Sequence, residues 1–447
     1  MSVVTDSPVH SSGSDDFIDY LNEALDASSP NSSSDEEAEN QDEFEDLSRN
    51  KRRKLESTEE TEGSTSEGIV EQKLVVAESS VVKVDGCTHP GTFGKLCISC
   101  GEILDGESGV TFGYIHKGLR LHEEEISRLR NTEMNTFLFS KKLFLVLDLD
   151  HTLLNTTILG QLSSEELHLL NETDSLEAKG SLFKLEHMHM MTKLRPFVRT
   201  FLKEASAMFE MYIYTMGDRP YALEMAKLLD PQGEYFNAKV ISRDDGTQKH
   251  QKGLDVVLGR DSAVLILDDT EHAWMKHKNN LILMERYHFF ASSCRQFGFN
   301  CKSLAETKSD ENETDGALAK ILEVLKQVHC TFFEKLQGDL VDRDVRQVLS
   351  SVRGEILSGC VIIFSRINHL ALPTLKRIAE QLGATCLTEL DPTVTHVVAT
   401  DAGTEKARWA VKEKKCLVHP RWIEAANYFW EKQPEENFFI KKTTTQS

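Results

Sequence analysis

The chain has 447 residues and a formal net charge of −21, but residues 1–80, with 21 acidic and six basic side chains, carry −15 of it. The remainder has an ordinary globular balance and enough length for two or three domains with a sizeable core. No run approaches the roughly 18 apolar residues of a membrane span, the N-terminus lacks the basic start and apolar block of a signal peptide, and nine cysteines without framework spacing argue for a reducing compartment.

Residues 1–80 are rich in Ser, Asp and Glu and poor in aromatics, a composition that cannot bury enough apolar area to offset the entropy of ordering; they are expected to be disordered. Within them Phe17, Ile18, Leu21 and Leu25 fall at helical spacing behind the candidate caps Ser14 and Asp15, as in a partner-binding helix or a chance cluster. The basic run Asn50–Lys54 has the form of a nuclear-import signal or of a solvated charge run. Next, over residues 85–105, "CTHPGTFGKLCISCG" supplies Cys87, His89, Cys97 and Cys100. Four soft or borderline ligands are what a closed tetrahedral zinc site needs, and a knuckle of this size would be ordered mainly by the ion. The competing reading is a redox-active or free CxxC.

From Lys142 to about Tyr287 short apolar runs alternate with helical patterns. "KLFLVLD", "MYIYT", "AKVIS", "AVLILDD" and "NLILME" read as strands; "RPFVRTFLKEASAMF" and "RPYALEMAKLLD" read as helices. That alternation predicts an α/β domain, residues 135–305, with a mostly parallel sheet and helices on both faces. Ligands of such sheets sit beyond the strand C-termini, where Asp148, Asp150, Thr215, Asp268 and Asp269 all fall. A helical connector is expected over 315–350, and a second, small α/β domain over 353–442.

The aspartates sit in an apolar run–DxDxT–apolar context that Thr152 completes. Thr215 ends a second strand, Lys252 opens a helical segment, and Asp268 and Asp269 end a later strand. This ordered set fits phosphoryl transfer, in which an anionic ester must be met by gathered cations. Asp148 and Asp269, with the Asp150 carbonyl, offer hard oxygens to Mg2+, with Asp268 behind them or acting through a metal-bound water. Asp148 is then the nucleophile and Asp150 the acid–base group. Lys252 and Thr215 hold phosphoryl oxygens, and Thr152 fixes Asp150 or its loop.

The stretches "LVLDLDHTLLNTT", "KLRPFVRTFL", "YIYTMGDRPYA", "VISRDDG" and "LILDDTEHAW" resemble the haloacid dehalogenase (HAD) superfamily in its FCP branch, the phosphatases of the RNA polymerase II C-terminal tail, and most closely the plant group of that branch. The resemblance covers roughly residues 85–440. It implies a Rossmann-like HAD fold and a nuclear protein serine/threonine phosphatase regulating transcription through the heptads of the tail. It further implies Mg2+, replaceable by Mn2+ or Co2+, and a chain that binds neither membrane nor nucleic acid directly. Lys249 lies three residues before Lys252; Lys252 is preferred because the family's lysine immediately precedes the helix with this leucine pattern.

Residues 353–442 resemble a BRCT module, on Gly383 in "LGA", on "VTHVVA" and on Trp422 in the last helix. Gly383 suits a turn that needs positive φ, and Trp422 is expected in the core. Ser365 and Lys406 stand where some BRCT modules hold phosphoserine; partner binding without phosphate is the commoner use, and transcription factors are the expected partners of this module or of the acidic tail. Two other readings remain: a phosphatase of small metabolites, against which the short segments between motifs leave no room for a large cap, and a non-catalytic adaptor, against which no catalytic position is missing.

Overall fold

The structure, a computed structural model, describes residues 86–440 except 105–107, 174–179, 300 and 337. The acidic segment, its Phe17–Leu25 pattern and the Asn50–Lys54 run lie outside the described residues.

The described residues begin with four short strands, β1 Gly91–Phe93, β2 Leu96–Cys97, β3 Val110–Thr111 and β4 Leu119–Leu121, in one antiparallel sheet of order β2-β1-β4-β3. Helix α1, Glu123–Phe139, leads into β5, Leu143–Leu147, all five of whose residues are buried. A strand apolar on both faces belongs at the centre of a parallel sheet, and β5 lies there, in the order β10-β9-β5-β11-β12. Its partners are β9 Phe209–Tyr214, β10 Val240–Ile241, β11 Val264–Asp268 and β12 Leu281–Leu283, and every pairing is parallel. Helix α2, Val198–Ser206, packs on β9, and α3, Arg219–Leu229, packs on β10. Asp218 starts α3 by accepting a hydrogen bond from Tyr221 N at 2.9 Å, with Pro220 in the first turn.

Between β5 and α2 the chain builds something the sequence reading lacked. An antiparallel sheet of order β6-β8-β7, from β6 Leu154–Ile158, β7 Leu182–Leu185 and β8 Met190–Leu194, rises beside the aspartates. The reversal that feeds it runs through His151 at φ 63°, with the amides of Leu153 and Leu154 both donating to Leu149 O.

The helical connector expected over 315–350 consists of two helices. After a short α4, Ala291–Gln296, helix α5 covers Ala317–Cys330 and ends in a π turn at Thr331–Lys335, and α6 covers Val345–Gly354. The C-terminal module is a parallel sheet of order β14-β13-β15-β16, from β13 Val361–Ser365, β14 Thr385–Leu387, β15 His396–Ala399 and β16 Cys416–Val418. Its helices are α7 Leu372–Gln381, α8 Glu405–Lys412 and α9 Arg421–Phe429. Strands β14 and β16 were not expected, since three residues between helices carry no period. Trp422 is fully buried and stacks on His396 at 4.6 Å. Gly383 has φ +94°, and a Cβ there would meet the Gly354 carbonyl oxygen at 1.8 Å. Val345, Val348, Leu349 and Val352 of α6, together with Trp430, belong to the same buried cluster as the five-stranded sheet.

Candidate active site

Asp148 follows β5 directly, and Asp268 and Asp269 close the adjacent β11; Asp148 N donates to Leu267 O at 3.0 Å, which locks the two strand ends together. Oxygens of Asp148, Asp268 and Asp269 lie within 4.8 Å of one another, all buried. The amine of Lys252 bridges two of them, 2.5 Å from Asp148 Oδ1 and 2.6 Å from Asp268 Oδ2. Asp268 also accepts from Trp274 Nε1 at 2.8 Å and from Thr270 N at 2.8 Å, so both its oxygens are committed. Asp269 Oδ2 accepts from Arg286 Nε at 2.5 Å and from the Thr270 hydroxyl at 3.1 Å.

Asp150 is turned away from this cluster. Its Oδ1 accepts from the Tyr221 hydroxyl at 2.5 Å, and that hydroxyl lies 2.9 Å from Thr156 Oγ1. Thr215 follows β9 directly, its hydroxyl accepting from Gly217 N at 3.0 Å, which leaves its own hydrogen to donate. The Thr152 hydroxyl is buried without a hydrogen-bond partner among the described residues, and its carbonyl accepts from Arg195 Nη1 at 3.0 Å. The side chain that holds Asp150 is therefore Tyr221.

The electrostatics follow from crowding. Burial raises the Asp148 carboxyl well above the usual carboxylate range, and the Asp268 charge adds to the shift against the pull of Lys252. Asp268 is raised, again by burial first, against Lys252. Asp150 is raised by desolvation, opposed by the Tyr221 hydrogen bond. Asp269 is lowered: burial works against its charge, but Arg286 and His151 outweigh it. Burial also opposes the charge of Lys252, yet Asp148 and Asp268 hold its pKa above the ordinary lysine range. Three clustered carboxylates, Asp148, Asp268 and Asp269, thus face two cations, Lys252 and Arg286. The surplus of about one negative charge and the all-oxygen donor set fit a hard divalent cation.

Four further residues escaped the sequence reading. Tyr221 and Asp150 are 71 residues apart, and nothing in "RPYA" marks that tyrosine. Trp274 and Arg286 look like ordinary core and surface side chains in the sequence. Arg195 is fully buried, paired with Glu311 at 2.7 Å, and ties the loop after Asp150 to the Glu285 carbonyl.

The second cluster lies in the N-terminal sheet. Cys87 Sγ is 3.8 Å from Cys97 Sγ, Cys100 Sγ is 3.5 Å from His89 Nδ1, and all four ligand atoms fall within 4.8 Å of one another. Ligands about 2.3 Å (sulfur) and 2.0 Å (nitrogen) from a tetrahedral zinc would be spaced by about 3.8 and 3.5 Å. Burial opposes ionisation of Cys97, but main-chain N–H groups at Cys100 and Ser99 lower its pKa to about 6. In the C-terminal module the Ser365 hydroxyl donates to Thr404 Oγ1 at 2.8 Å, and Lys406 donates to the carbonyls of Phe364 (3.3 Å) and Thr388 (2.9 Å).

Residues 143–336 match the family model of NLI interacting factor-like phosphatases, and residues 352–426 match that of the BRCT domain. The chain is 58% identical to the RNA polymerase II C-terminal domain phosphatase-like 4 of Arabidopsis thaliana, over all of this chain and 99% of that one. It is 42% identical to the RNA polymerase II C-terminal domain phosphatase-like 3 of the same plant, over 72% of this chain and 27% of the relative. The solved structure of Fcp1, described as an essential RNA polymerase II CTD phosphatase, aligns with 70% of this chain and all of its own, at 22% identity and a TM-score of 0.55. At that identity the likeness speaks for the fold, a parallel-sheet α/β phosphatase domain followed by a BRCT module.

Proposed function

The chain belongs to the RNA polymerase II C-terminal-domain phosphatases, and on that premise we propose that it removes phosphoryl groups from phosphoserines of the polymerase tail, with Asp148 as nucleophile. It is a protein phosphatase, a phosphoric monoester hydrolase. The observation that carries the assignment of roles is the amine of Lys252 wedged between Asp148 and Asp268 at the end of β5, beside an acid–base candidate held elsewhere.

In this reading the Asp148 carboxylate forms a bond to phosphorus as the ester P–O bond breaks, giving an aspartyl-phosphate. Asp150, whose raised pKa suits a proton donor, gives its proton to the departing serine oxygen. It then takes a proton from the water that attacks the phosphorus, releasing Asp148 and inorganic phosphate. Two of the three Lys252 hydrogens are used by carboxylates, leaving one for a phosphoryl oxygen; the free hydrogen of Thr215 serves a second. Mg2+, or Mn2+ or Co2+ in its place, would be held by Asp148, Asp269 and the Asp150 carbonyl, with Asp268 behind, and supplies charge neutralisation between nucleophile and substrate. The test is phosphate release from singly phosphorylated tail peptides against metabolite esters: peptides should be preferred, EDTA should stop release and Mg2+ restore it. Metal-independent release would overturn the metal site, and a preference for metabolites the substrate.

Because Tyr221 is the side chain that holds the Asp150 carboxyl, Tyr221→Phe should slow hydrolysis of alkyl phosphates about tenfold or more while sparing activated aryl esters, whose leaving groups need no proton. Asp150→Asn should show the same contrast more strongly. Equal losses on both ester types would remove the acid role.

The cysteine cluster is proposed to hold one structural Zn2+. Metal analysis of chain purified without chelator should give about one zinc per chain, and the Cys97→Ser/Cys100→Ser double variant should lose it. Finding none would remove the site. We further propose that the chain works in the nucleus, with Asn50–Lys54 as import signal, and that the BRCT module or acidic segment binds transcription factors. The proposed division is 1–80 tail, 85–105 knuckle, 135–305 phosphatase, 315–350 connector and 353–442 BRCT.

A further inference from the structure

At the edge of the parallel sheet opposite Asp148 the surface forms an open concavity of about 470 Å3. Its walls include Arg130 and Asn131 of α1, Arg260, Asp261 and Ser262 ahead of β11, and Arg346 of α6. Each arginine is fixed on one side and uncommitted on the other. Arg130 donates through Nε to Val257 O (3.1 Å) and through Nη2 to Leu254 O and Asp255 O (2.8 and 3.0 Å), and its Nη1 has no acceptor among the described residues. Arg260 is held by Nε on Asn131 Oδ1 at 2.7 Å, with both terminal nitrogens uncommitted among the described residues. Arg346 grips Asp344 through Nε and Nη2, as close as 2.6 Å, and its Nη1 has no acceptor among the described residues. Among the described residues only Arg346 of the three forms an ion pair.

Three guanidinium groups against the carboxylates of Asp261 and Asp344 leave one positive charge in excess. Pre-set forks of N–H donors are the chemistry that grips a phosphate monoester. Ser262 lies in the 3-10 turn Asp261–Ala263 that leads into β11, Val264–Asp268; four strand steps and the turn put it about 17 Å from Asp268. A phosphate seated in the pocket is therefore out of reach of Asp148 and would be held rather than hydrolysed.

We propose that this pocket binds a second phosphoserine of a multiply phosphorylated substrate while a first one occupies the active site. The proposal rests on the phosphopeptide reading above. Its consequence is local concentration: a peptide tethered at the pocket presents its other phosphoserine to Asp148 repeatedly. Geometry sets the spacing. The straight distance is about 17 Å and the path around the domain longer, so a spacing of 14 residues, up to about 48 Å, reaches with slack that seven residues, at most about 24 Å, lack.

The test is steady-state kinetics of Arg260→Glu on four substrates: p-nitrophenyl phosphate, a singly phosphorylated peptide, and peptides with phosphoserines 7 and 14 residues apart. In the wild type the 14-residue spacing should give the lowest KM. Arg260→Glu should raise that KM about tenfold, to the value of the singly phosphorylated peptide, with kcat and the other three substrates unchanged. Arg260→Gln should act in the same direction, less strongly, and unchanged melting of both variants excludes misfolding. An unchanged KM, or an equal rise on the singly phosphorylated peptide, overturns the proposal. So does saturation by inorganic phosphate with no dependence on peptide spacing. If no phosphopeptide is hydrolysed at all, the function reading fails separately. The pocket is then decided by calorimetric binding of the 14-spaced peptide to Asp148→Asn chain with and without Arg260→Glu, where equal Kd rejects it.

Discussion

Asp148→Asn is expected to reduce turnover by about four orders of magnitude or more, on p-nitrophenyl phosphate and on phosphopeptides alike. The amide nearly keeps the shape of the carboxylate but cannot form the acyl phosphate. The fold should not suffer. Lys252 retains Asp268 as a partner at 2.6 Å, and burial together with the Asp268 charge already disfavours the ionised form of Asp148. A carboxyl whose folded-state pKa is raised takes stability away as pH rises past its unfolded value, so a neutral isostere removes that penalty. Without added metal, the variant should melt at or above the wild-type temperature at pH 7. Wild-type turnover in Asp148→Asn would end the proposed mechanism; a large loss of melting temperature would mean that the carboxylate is structural.

Lys252→Met should damage both activity and stability. The substitution leaves two buried carboxylates, Asp148 and Asp268, facing each other without the ammonium that bridges them. Breaking a buried pair by removing one partner costs about 3–5 kcal/mol, and here one cation serves two acids. Their pKa values, already raised by burial, lose the opposing pull of Lys252 and rise further. The stability deficit is therefore present at neutral pH, above the unfolded-state carboxyl pKa, and shrinks as the acids protonate on acidification. Thermal melts should show the gap between wild type and variant narrowing from pH 7 to pH 5. A gap independent of pH would mean that the loss is one of packing, for instance against Tyr214 and Trp274, whose rings lie 5.9 and 5.8 Å from the amine.

The strand edge that carries the proposed catalytic acids was legible because β5 and β11 are buried on both faces. Unbroken apolar runs announce such strands, and acids at their ends stand out against them. The C-terminal module was legible for a similar reason, with β13 and β15 as compact apolar runs between amphipathic helices. The β6-β8-β7 sheet was not. Its strands "LNTTI", "LFKL" and "MMTKL" are short, mix Thr, Lys and Met, and depend on pairings such as Leu154↔Leu194, forty residues apart. The split between α5 and α6 was hidden because hydrophobic periodicity continues through Phe332, Val345 and Leu349 while the backbone leaves the helix. Site residues that act through distant contacts, Tyr221 on Asp150 and Arg195 on the loop beyond it, carry no local signature.

The buried cluster joining the five-stranded sheet to α6 and Trp430 bears on the order in which the chain is made. Synthesis proceeds from the N-terminus, and domains generally close as units while the chain emerges. Here the five-stranded sheet is complete once β11 and β12 have appeared, yet its apolar flank waits about 60 further residues for α6 and about 150 for Trp430. The phosphatase sheet is thus translated long before its own core can shut. A ribosome stalled within the C-terminal module would display a nascent chain with every proposed catalytic side chain present and a sticky flank still exposed. Such a chain is a client for chaperones until Trp430 arrives.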